Sequence, residues 1–159
     1  MNVNINTTQF ITHNVSWLDT KTNIIMEGNF TKICYITPEV TMNGLYIKFP
    51  IDISTLELMD DRTQMKFNPY SNTNINIVKE FAKIEYKLLD NYIQTKQKSL
   101  KKTILLSKQL YSGFMKIYKE NNQKFKPNNN SFYVKISGIW ETCDECGLTY
   151  KLFGGNSIL

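Results

Sequence analysis

Two cysteines near the C-terminal end of the sequence have a spacing at which thiolates can hold a metal ion. Cys143 and Cys146 form a C-x-x-C pair, and such a pair can supply half of a tetrahedral zinc site. Only Cys34 and His13 remain among the other cysteines and histidines to complete that site. The pattern therefore favours an ordinary turn, and Cys143 and Cys146 are only weak candidates for metal ligands.

Groups that could carry out catalysis are sparse. The sequence holds a single histidine, and it shows neither a glycine-rich phosphate loop nor a constellation of serine, histidine and acid. The adjacent carboxylates of Asp60 and Asp61 could hold Mg²⁺, although neighbouring acids in a loop are usually only solvated. We therefore expect a protein that is not an enzyme and that uses no cofactor.

Aromatic residues and lysines recur two positions apart in the segments that resemble strands. Because alternate side chains of a strand point to opposite faces, the members of such a pair share one face. The candidate nucleic-acid-binding residues chosen on this basis are Phe30, Lys32, Tyr46, Lys48, Lys116, Tyr118, Tyr133, Lys135, Lys151 and Phe153. Bases stack on aromatic rings while cations follow the phosphates, so such a face suits a single strand of nucleic acid. The alternative is that the lysines only solvate an exposed face and discourage pairing at a sheet edge.

The same alternation predicts structural roles for the two tryptophans. Trp140 has the parity of Val134 and Ile136, which places it in the core unless a bulge at Gly138 reverses the alternation. Trp17 lies in a run whose apolar parity also points to the core. A structural role is therefore the first interpretation of both indoles, and contact with a ligand stays the alternative for Trp140 if the bulge forms.

Hydrophobic periodicity outlines the elements that would position these residues. Runs rich in β-branched and aromatic residues predict strands at 10–18, 24–36, 42–51, 114–118, 132–140 and 148–153. Apolar residues three and four positions apart predict a helix over about 76–97, and a second short helix is expected over about 104–112. Residues 59–76 show no strand period and are expected to form a loop, and residues 120–130 form a polar excursion.

The order of these elements predicts the fold class. Three strands, a helix and further strands follow the order of the five-stranded oligonucleotide-binding barrel, in which a helix lies between the third and fourth strands. We therefore expect a mainly β, α+β chain that forms one OB-fold-like domain over residues 1–159. Five to six antiparallel strands would close the barrel, and both helices would be inserted before the last strands. The competing architecture is an open α+β sheet with the helix packed on one face.

The positive charge of the chain is concentrated in its middle third. The whole sequence has a formal net charge of +5, whereas residues 79–126 hold twelve lysines and four acids, which gives +8. A basic region of this kind suits a polyanionic partner, because each neutralised phosphate releases counterions. Lys79, Lys83 and Lys87 lie four residues apart on one face of the predicted helix, where a solvated surface is the simpler explanation.

Three segments resemble a known family. Residues 135–140 (KISGIW), 147–151 (GLTYK) and 110–118 (LYSGFMKIY) resemble the closing part of the single-stranded-DNA-binding-like proteins encoded by large eukaryotic (nucleocytoplasmic) DNA viruses. That family is in turn similar to the oligonucleotide-binding-fold single-strand binders of phages. The resemblance covers a minor part of the chain, and none of it is a catalytic signature.

The resemblance implies non-enzymatic, sequence-independent binding of single-stranded DNA in viral DNA replication, recombination or repair. It leaves open contacts with replication proteins and the formation of homo-oligomers. No apolar run is long enough for a membrane span, and the polar N-terminal segment is unlike a signal peptide, so we expect neither membrane association nor secretion. The expected location is the host cell cytoplasm or a viral replication factory, with packaging in the virion as a further option. The alternative function is a virion structural or scaffold protein that uses the same fold for protein–protein contacts.

Overall fold

The computed structural model of the chain describes residues 4–23, 28–59, 62–119 and 130–156. The strands in those ranges are β1 (Val15–Asn23), β2 (Gly28–Ile36), β3 (Thr41–Asn43), β4 (Leu45–Lys48), β5 (Thr55–Met59), β6 (Arg62–Lys66), β7 (Lys101–Thr103), β8 (Phe114–Lys119), β9 (Asn130–Glu141) and β10 (Glu145–Asn156). The helices are α1 (Ile75–Lys96), which follows β6, and α2 (Leu105–Ser112), which follows β7. Two short 3₁₀ helices, Thr7–Gln9 and Thr12–Asn14, precede β1.

These strands belong to one open, mixed sheet. Its strand order is β1-β2-β9-β10-β8-β6-β5, while β3 pairs with β2, β4 with β9 and β7 with β10. β7 and β8 run parallel to β10, and the other strand pairs are antiparallel. Within the described ranges, β1 and β5 are the outer strands of this order and do not pair with each other. The mainly β, α+β class is therefore confirmed, whereas the closed antiparallel barrel of five to six strands is wrong.

The barrel prediction was wrong because a β-hairpin forms where the sequence shows no clear strand pattern. β6 lies inside residues 59–76, which were expected to form a loop, and it pairs with both β5 and β8. Thr63 and Met65 of β6 are buried while their neighbours are not, but a buried threonine gives little hydrophobic signal. The β5–β6 hairpin extends the sheet beyond β8, where a barrel would have to close. The competing architecture, an open sheet with helices packed on one face, describes the observed fold.

The hydrophobic core lies between the sheet and the two helices. α1 contributes the buried side chains Val78, Phe81, Ile84, Leu88, Leu89 and Tyr92, and α2 contributes Leu106 and Leu110. They pack in one cluster with alternate residues of the central strands, such as Ile33, Ile136 and Leu148. Burial of each large apolar side chain contributes roughly 1.5–3 kcal/mol to stability. None of the helices in the described ranges has the length and apolar character that crossing a membrane requires.

A buried carboxylate holds α2 against α1. Glu85 of α1 is 0% exposed and accepts hydrogen bonds from the backbone N–H groups of Leu106 and Ser107, at 2.9 and 2.8 Å. The Ser107 hydroxyl donates a third hydrogen bond to the same carboxylate, at 2.5 Å. The first N–H groups of a helix have no partner inside that helix, and a negative charge there is favoured by the helix dipole. Glu85 therefore supplies the N-terminal cap of α2, and Gly113 ends the helix with a φ of +78°.

The β9–β10 hairpin forms the centre of the sheet. β9 pairs with β2 and β4 on its outer side, and β10 pairs with β7 and β8 on the other. The remaining strands thus fall into two groups, β1–β4 and β5–β8, that the hairpin joins. A β-bulge interrupts the hairpin, because Gly138 faces Thr149 while Ile136 faces Tyr150. The extra residue in β9 reverses the alternation of its side chains between Ile136 and Gly138.

Candidate nucleic-acid interface

The sheet face opposite the helices carries the residues that the alternation of aromatic residues and lysines predicted. Directly opposed residues of neighbouring strands project to the same face. Seven of the predicted residues are neighbours in this way, namely Tyr46 and Lys48 on β4, Tyr133 and Lys135 on β9, Lys151 and Phe153 on β10, and Tyr118 on β8. Lys116 lies two residues before Tyr118 on β8 and therefore shares its face. The buried residues between them in each strand point to the helices instead.

The bulge in β9 brings the other two predicted residues to the same face. Lys32 of β2 faces Gly138, and Phe30 faces Trp140. Gly138 in turn faces Thr149, which lies on the lysine side of β10. All ten predicted residues therefore share one face, which we call the open face, and their role in binding stays a prediction. Trp140 lies on the open face and not in the core, because the bulge that was the alternative for this residue forms and reverses the alternation before it.

Two glycines make room for the rings at this end of the open face. A Cβ atom on Gly147 would lie 2.5 Å from the indole of Trp140. A Cβ atom on Gly138 would lie 2.9 Å from the ring of Phe30 and 2.1 Å from the carbonyl oxygen of Thr31. Both rings therefore lie against the backbone of a neighbouring strand, and each is half-buried.

The core assignment of Trp17 is confirmed. Its ring packs edge-to-face on Tyr92 of α1, with the ring centroids 5.2 Å apart. The indole N–H donates a hydrogen bond of 2.8 Å to the side-chain oxygen of Asn91. Trp17 therefore connects β1 to α1 on the helix side of the sheet.

Four aromatic rings form a row across the centre of the open face. The ring centroids of Tyr46 and Tyr133 are 5.9 Å apart, those of Tyr133 and Phe153 are 5.5 Å apart, and those of Phe153 and Tyr118 are 6.1 Å apart. Tyr133 is only 6% exposed, whereas the other three rings are partly exposed. Tyr133 therefore supports this aromatic row from within, and Tyr46, Tyr118 and Phe153 offer the surfaces on which bases could stack.

Lysine ammonium groups lie over the same rings. The Nζ atom of Lys135 is 5.4 Å from the ring centroid of Tyr46. Those of Lys116 and Lys151 are 4.6 and 4.8 Å from the ring centroid of Tyr118. Such cation–π contacts hold the positive charges close to the aromatic surface. A strand whose bases stack on the rings would therefore find cations within reach of its phosphates.

These cations are not neutralised by neighbouring carboxylates. Within the part of the chain that the structure describes, no ion pair involves Lys32, Lys48, Lys116, Lys135 or Lys151. Lys66, at the margin of the open face on β6, differs because it pairs with Glu57 at 2.8 Å. The centre of the open face is thus a cluster of positive charges interleaved with aromatic rings.

Polar groups on the helix side, in contrast, satisfy one another. Glu141 accepts hydrogen bonds from the Tyr92 hydroxyl and from the Lys98 ammonium, both at 2.5 Å, and the Thr31 hydroxyl lies 3.2 Å from that of Tyr92. Burial alone would raise the pKa of Glu141, but the hydrogen bonds from Lys98 and Tyr92 outweigh it and lower that pKa. Burial and the hydrogen bond to Glu141 raise the pKa of Tyr92 to about 12. This cluster ties α1 to β2 and β9 and leaves no charge to recruit a ligand.

Comparisons with known proteins do not identify a family for this chain. No protein-family model, curated protein or solved structure matches the chain. The resemblance to viral single-strand binders therefore stays a prediction drawn from three short segments.

The C-x-x-C pair does not present its two sulfur atoms in one environment. Cys146 is 0% exposed within the hydrophobic core, and burial raises the pKa of its thiol to about 11, whereas Cys143 is exposed in the turn between β9 and β10. Among the residues that the structure describes, no group of three or more His, Cys, Asp or Glu side chains could hold a metal ion. Asp60 and Asp61, the other acidic candidates, lie outside the described residues.

Proposed function

We propose that this protein binds single-stranded DNA on the open face, without catalysing a reaction. The observation that carries the proposal is the set of unpaired lysines around partly exposed rings, on the face away from α1 and α2. Stacking of a base on an aromatic side chain contributes about 1–3 kcal/mol, and it tolerates any sequence because every base has a π-face. Lysines that neutralise phosphates release counterions and add affinity that depends on salt.

The composition of the face favours single strands read without sequence specificity. In a duplex the bases are stacked on one another, so the aromatic row could not reach their faces. Arg62 is the only arginine of the chain, and arginine makes the commonest bidentate contact with guanine. With the family resemblance, these properties support a role in viral DNA replication, recombination or repair, in the cytoplasm of the host cell or a replication factory.

Fluorescence anisotropy with a labelled oligo-dT of about thirty nucleotides, several times the site size of a small binding module, tests the proposal. We expect tight, salt-sensitive binding to the single strand and weak binding to its duplex. Tyr46→Ala and Phe153→Ala should each weaken single-strand binding by about 5- to 150-fold, the equivalent of one lost stacking contact. Tyr86→Ala, which removes a 56% exposed ring from α1, should leave the affinity unchanged.

Equal affinity for single strand and duplex would contradict the proposal. So would an equal effect of the Tyr46 and Tyr86 substitutions. Protein–protein contact in a virion or scaffold is the second candidate, favoured by Leu58, which is 74% exposed on the outer strand β5. Absence of DNA binding together with self-association that Leu58→Lys abolishes would support that function instead.

A further inference from the structure

A pocket of about 140 Å³ opens through the sheet between β8 and β10. β10 pairs with β7 through residues 145–147 and with β8 through residues 152–154, so the stretch between has no partner strand on that side in the described structure. The lining combines Lys116, Tyr118 and Lys151 of the open face with Gln109, Met115 and Tyr150 of the helix side. The pocket therefore leads from the open face toward α2.

A neutral hydrogen-bonding pair lies at the inner end of the pocket. The Tyr150 hydroxyl donates a hydrogen bond of 2.5 Å to the side-chain oxygen of Gln109. Burial raises the pKa of Tyr150 to about 12, so the phenol stays protonated and keeps donating at neutral pH. The amide NH₂ group of Gln109 takes no part in that bond, so it can donate a hydrogen bond to a ligand.

The mouth of the pocket is cationic. The ammonium groups of Lys116 and Lys151 lie on adjacent strands and both approach the ring of Tyr118 within 5 Å, at 4.6 and 4.8 Å from its centroid. Two converging ammonium groups suit an anion such as a phosphate. A group that enters this pocket from the open face would therefore meet positive charge first and an amide donor last.

The size of the pocket restricts what can enter. Its volume is about ten times the roughly 10–15 Å³ that one water molecule requires, so it has room for a group of several heavy atoms such as a nucleobase. Every base carries a ring nitrogen or a carbonyl oxygen that can accept a hydrogen bond from the Gln109 amide.

We infer that this pocket is a subsite for one base of the bound strand, with Gln109 donating to an acceptor atom of that base and with Lys116 and Lys151 holding a neighbouring phosphate. The inference rests on the proposed function of the open face and adds to it a hydrogen-bonded position for one base. Stacking on the aromatic row alone requires no such contact.

Binding of homopolymers to the Gln109→Met variant tests the subsite. Methionine keeps the length of the side chain and removes its donors, so we expect about a 5-fold loss of affinity for both oligo-dT and oligo-dA, the equivalent of one hydrogen bond. Tyr150→Phe, which releases the Gln109 amide, should act in the same direction. Gln94→Met, at an exposed position of α1, is the matched control and should change neither affinity.

Photocrosslinking of an oligo-dT that contains 5-iodouracil gives a second readout, and we expect crosslinked peptides that contain Tyr118 or Tyr150. No loss for either homopolymer in Gln109→Met, or an equal loss in the control Gln94→Met, would overturn the subsite while tight binding by the wild type would leave the proposed function intact. A wild-type protein that binds neither homopolymer would overturn both.

Discussion

Removal of two charges from the open face should change the salt dependence of DNA binding by an amount that the structure allows us to calculate. The unpaired lysines of this face are Lys32, Lys48, Lys116, Lys135 and Lys151. If each neutralises one phosphate, the slope of log K against log salt is about −3.5, at about −0.7 per phosphate of a single strand. Between about 50 and 200 mM salt, this slope weakens binding by about 100-fold.

The double substitution Lys116→Gln and Lys151→Gln leaves three such contacts. The expected slope is then about −2, and the same change in salt should weaken binding by only about 20-fold. Lys66 is omitted from this calculation because Glu57 already neutralises it. Neutralisation of Lys66 should therefore change the slope by much less than that of Lys116.

The matched control is the double substitution Lys83→Gln and Lys87→Gln. Both lysines are exposed on α1, so the change in net charge is identical, but the charges lie on the helix side of the sheet. The slope of this control should stay at about −3.5. Anisotropy titrations of labelled oligo-dT at a series of KCl concentrations measure all three slopes. Equal slopes in the two double variants would refute our reasoning, because binding would then depend on net charge and not on the open face.

Three further predictions concern stability. Glu85→Gln should lower the free energy of unfolding in urea by about 3 kcal/mol, because the buried carboxylate accepts three hydrogen bonds; a loss well below this would contradict its role as the cap of α2. The pKa of Glu141 is lower in the folded protein than the ordinary value of a glutamate, so its stabilising contribution is complete above that ordinary value and is lost as the pH falls through the folded pKa. Glu141→Gln should therefore show a shallower fall in melting temperature on acidification than the wild type, and parallel curves would contradict this. Gly138→Ala should destabilise the protein by about 3 kcal/mol or more in calorimetry, because its Cβ would lie 2.1 Å from the carbonyl oxygen of Thr31; near-wild-type stability would show that β2 and β9 can move apart.

The helices were predictable because their signals are local. α1 spans Ile75–Lys96 and α2 spans Leu105–Ser112, close to the predicted ranges of 76–97 and 104–112. A stripe with a period of 3.6 residues depends only on neighbours along the chain. Glu85 was not predicted, since nothing in the sequence of α1 indicates that a carboxylate on its buried side meets the first turn of another helix.

The open face was predictable in part, because the alternation of side chains within a strand is also a local signal. Alternation within each strand placed aromatic residues and lysines on one side, and the register of the sheet then joined these separate sides into one surface. Trp140 was assigned to the wrong face because one extra residue in β9 reverses the alternation. Gly138 marked a position where a bulge could form, but whether it forms depends on the partner strand, which a single strand sequence does not specify.

Neither the open sheet nor the pocket could be derived from periodicity. Both depend on which strands become neighbours, and β10 pairs with β7 and β8, which lie far before it in the chain. The pocket exists because these two short partners leave a stretch of β10 uncovered. Gln109 lines the pocket only because β7 and β8 leave this stretch of β10 uncovered. Nothing in the sequence around Gln109 therefore indicated that it belongs to the candidate site.

The β9–β10 hairpin leaves the ribosome only after the strands on both sides of it have been synthesised. Until residues 130–156 emerge, β2 and β4 cannot pair with β9, and β8 cannot pair with β10. The nascent chain then presents two partial sheets with unpaired edges, a condition that favours aggregation with other chains. Pairing between strands so distant in sequence is also slow. The two halves can therefore join into one sheet only after residues 130–156 have emerged, and the chain is most prone to aggregation before that step.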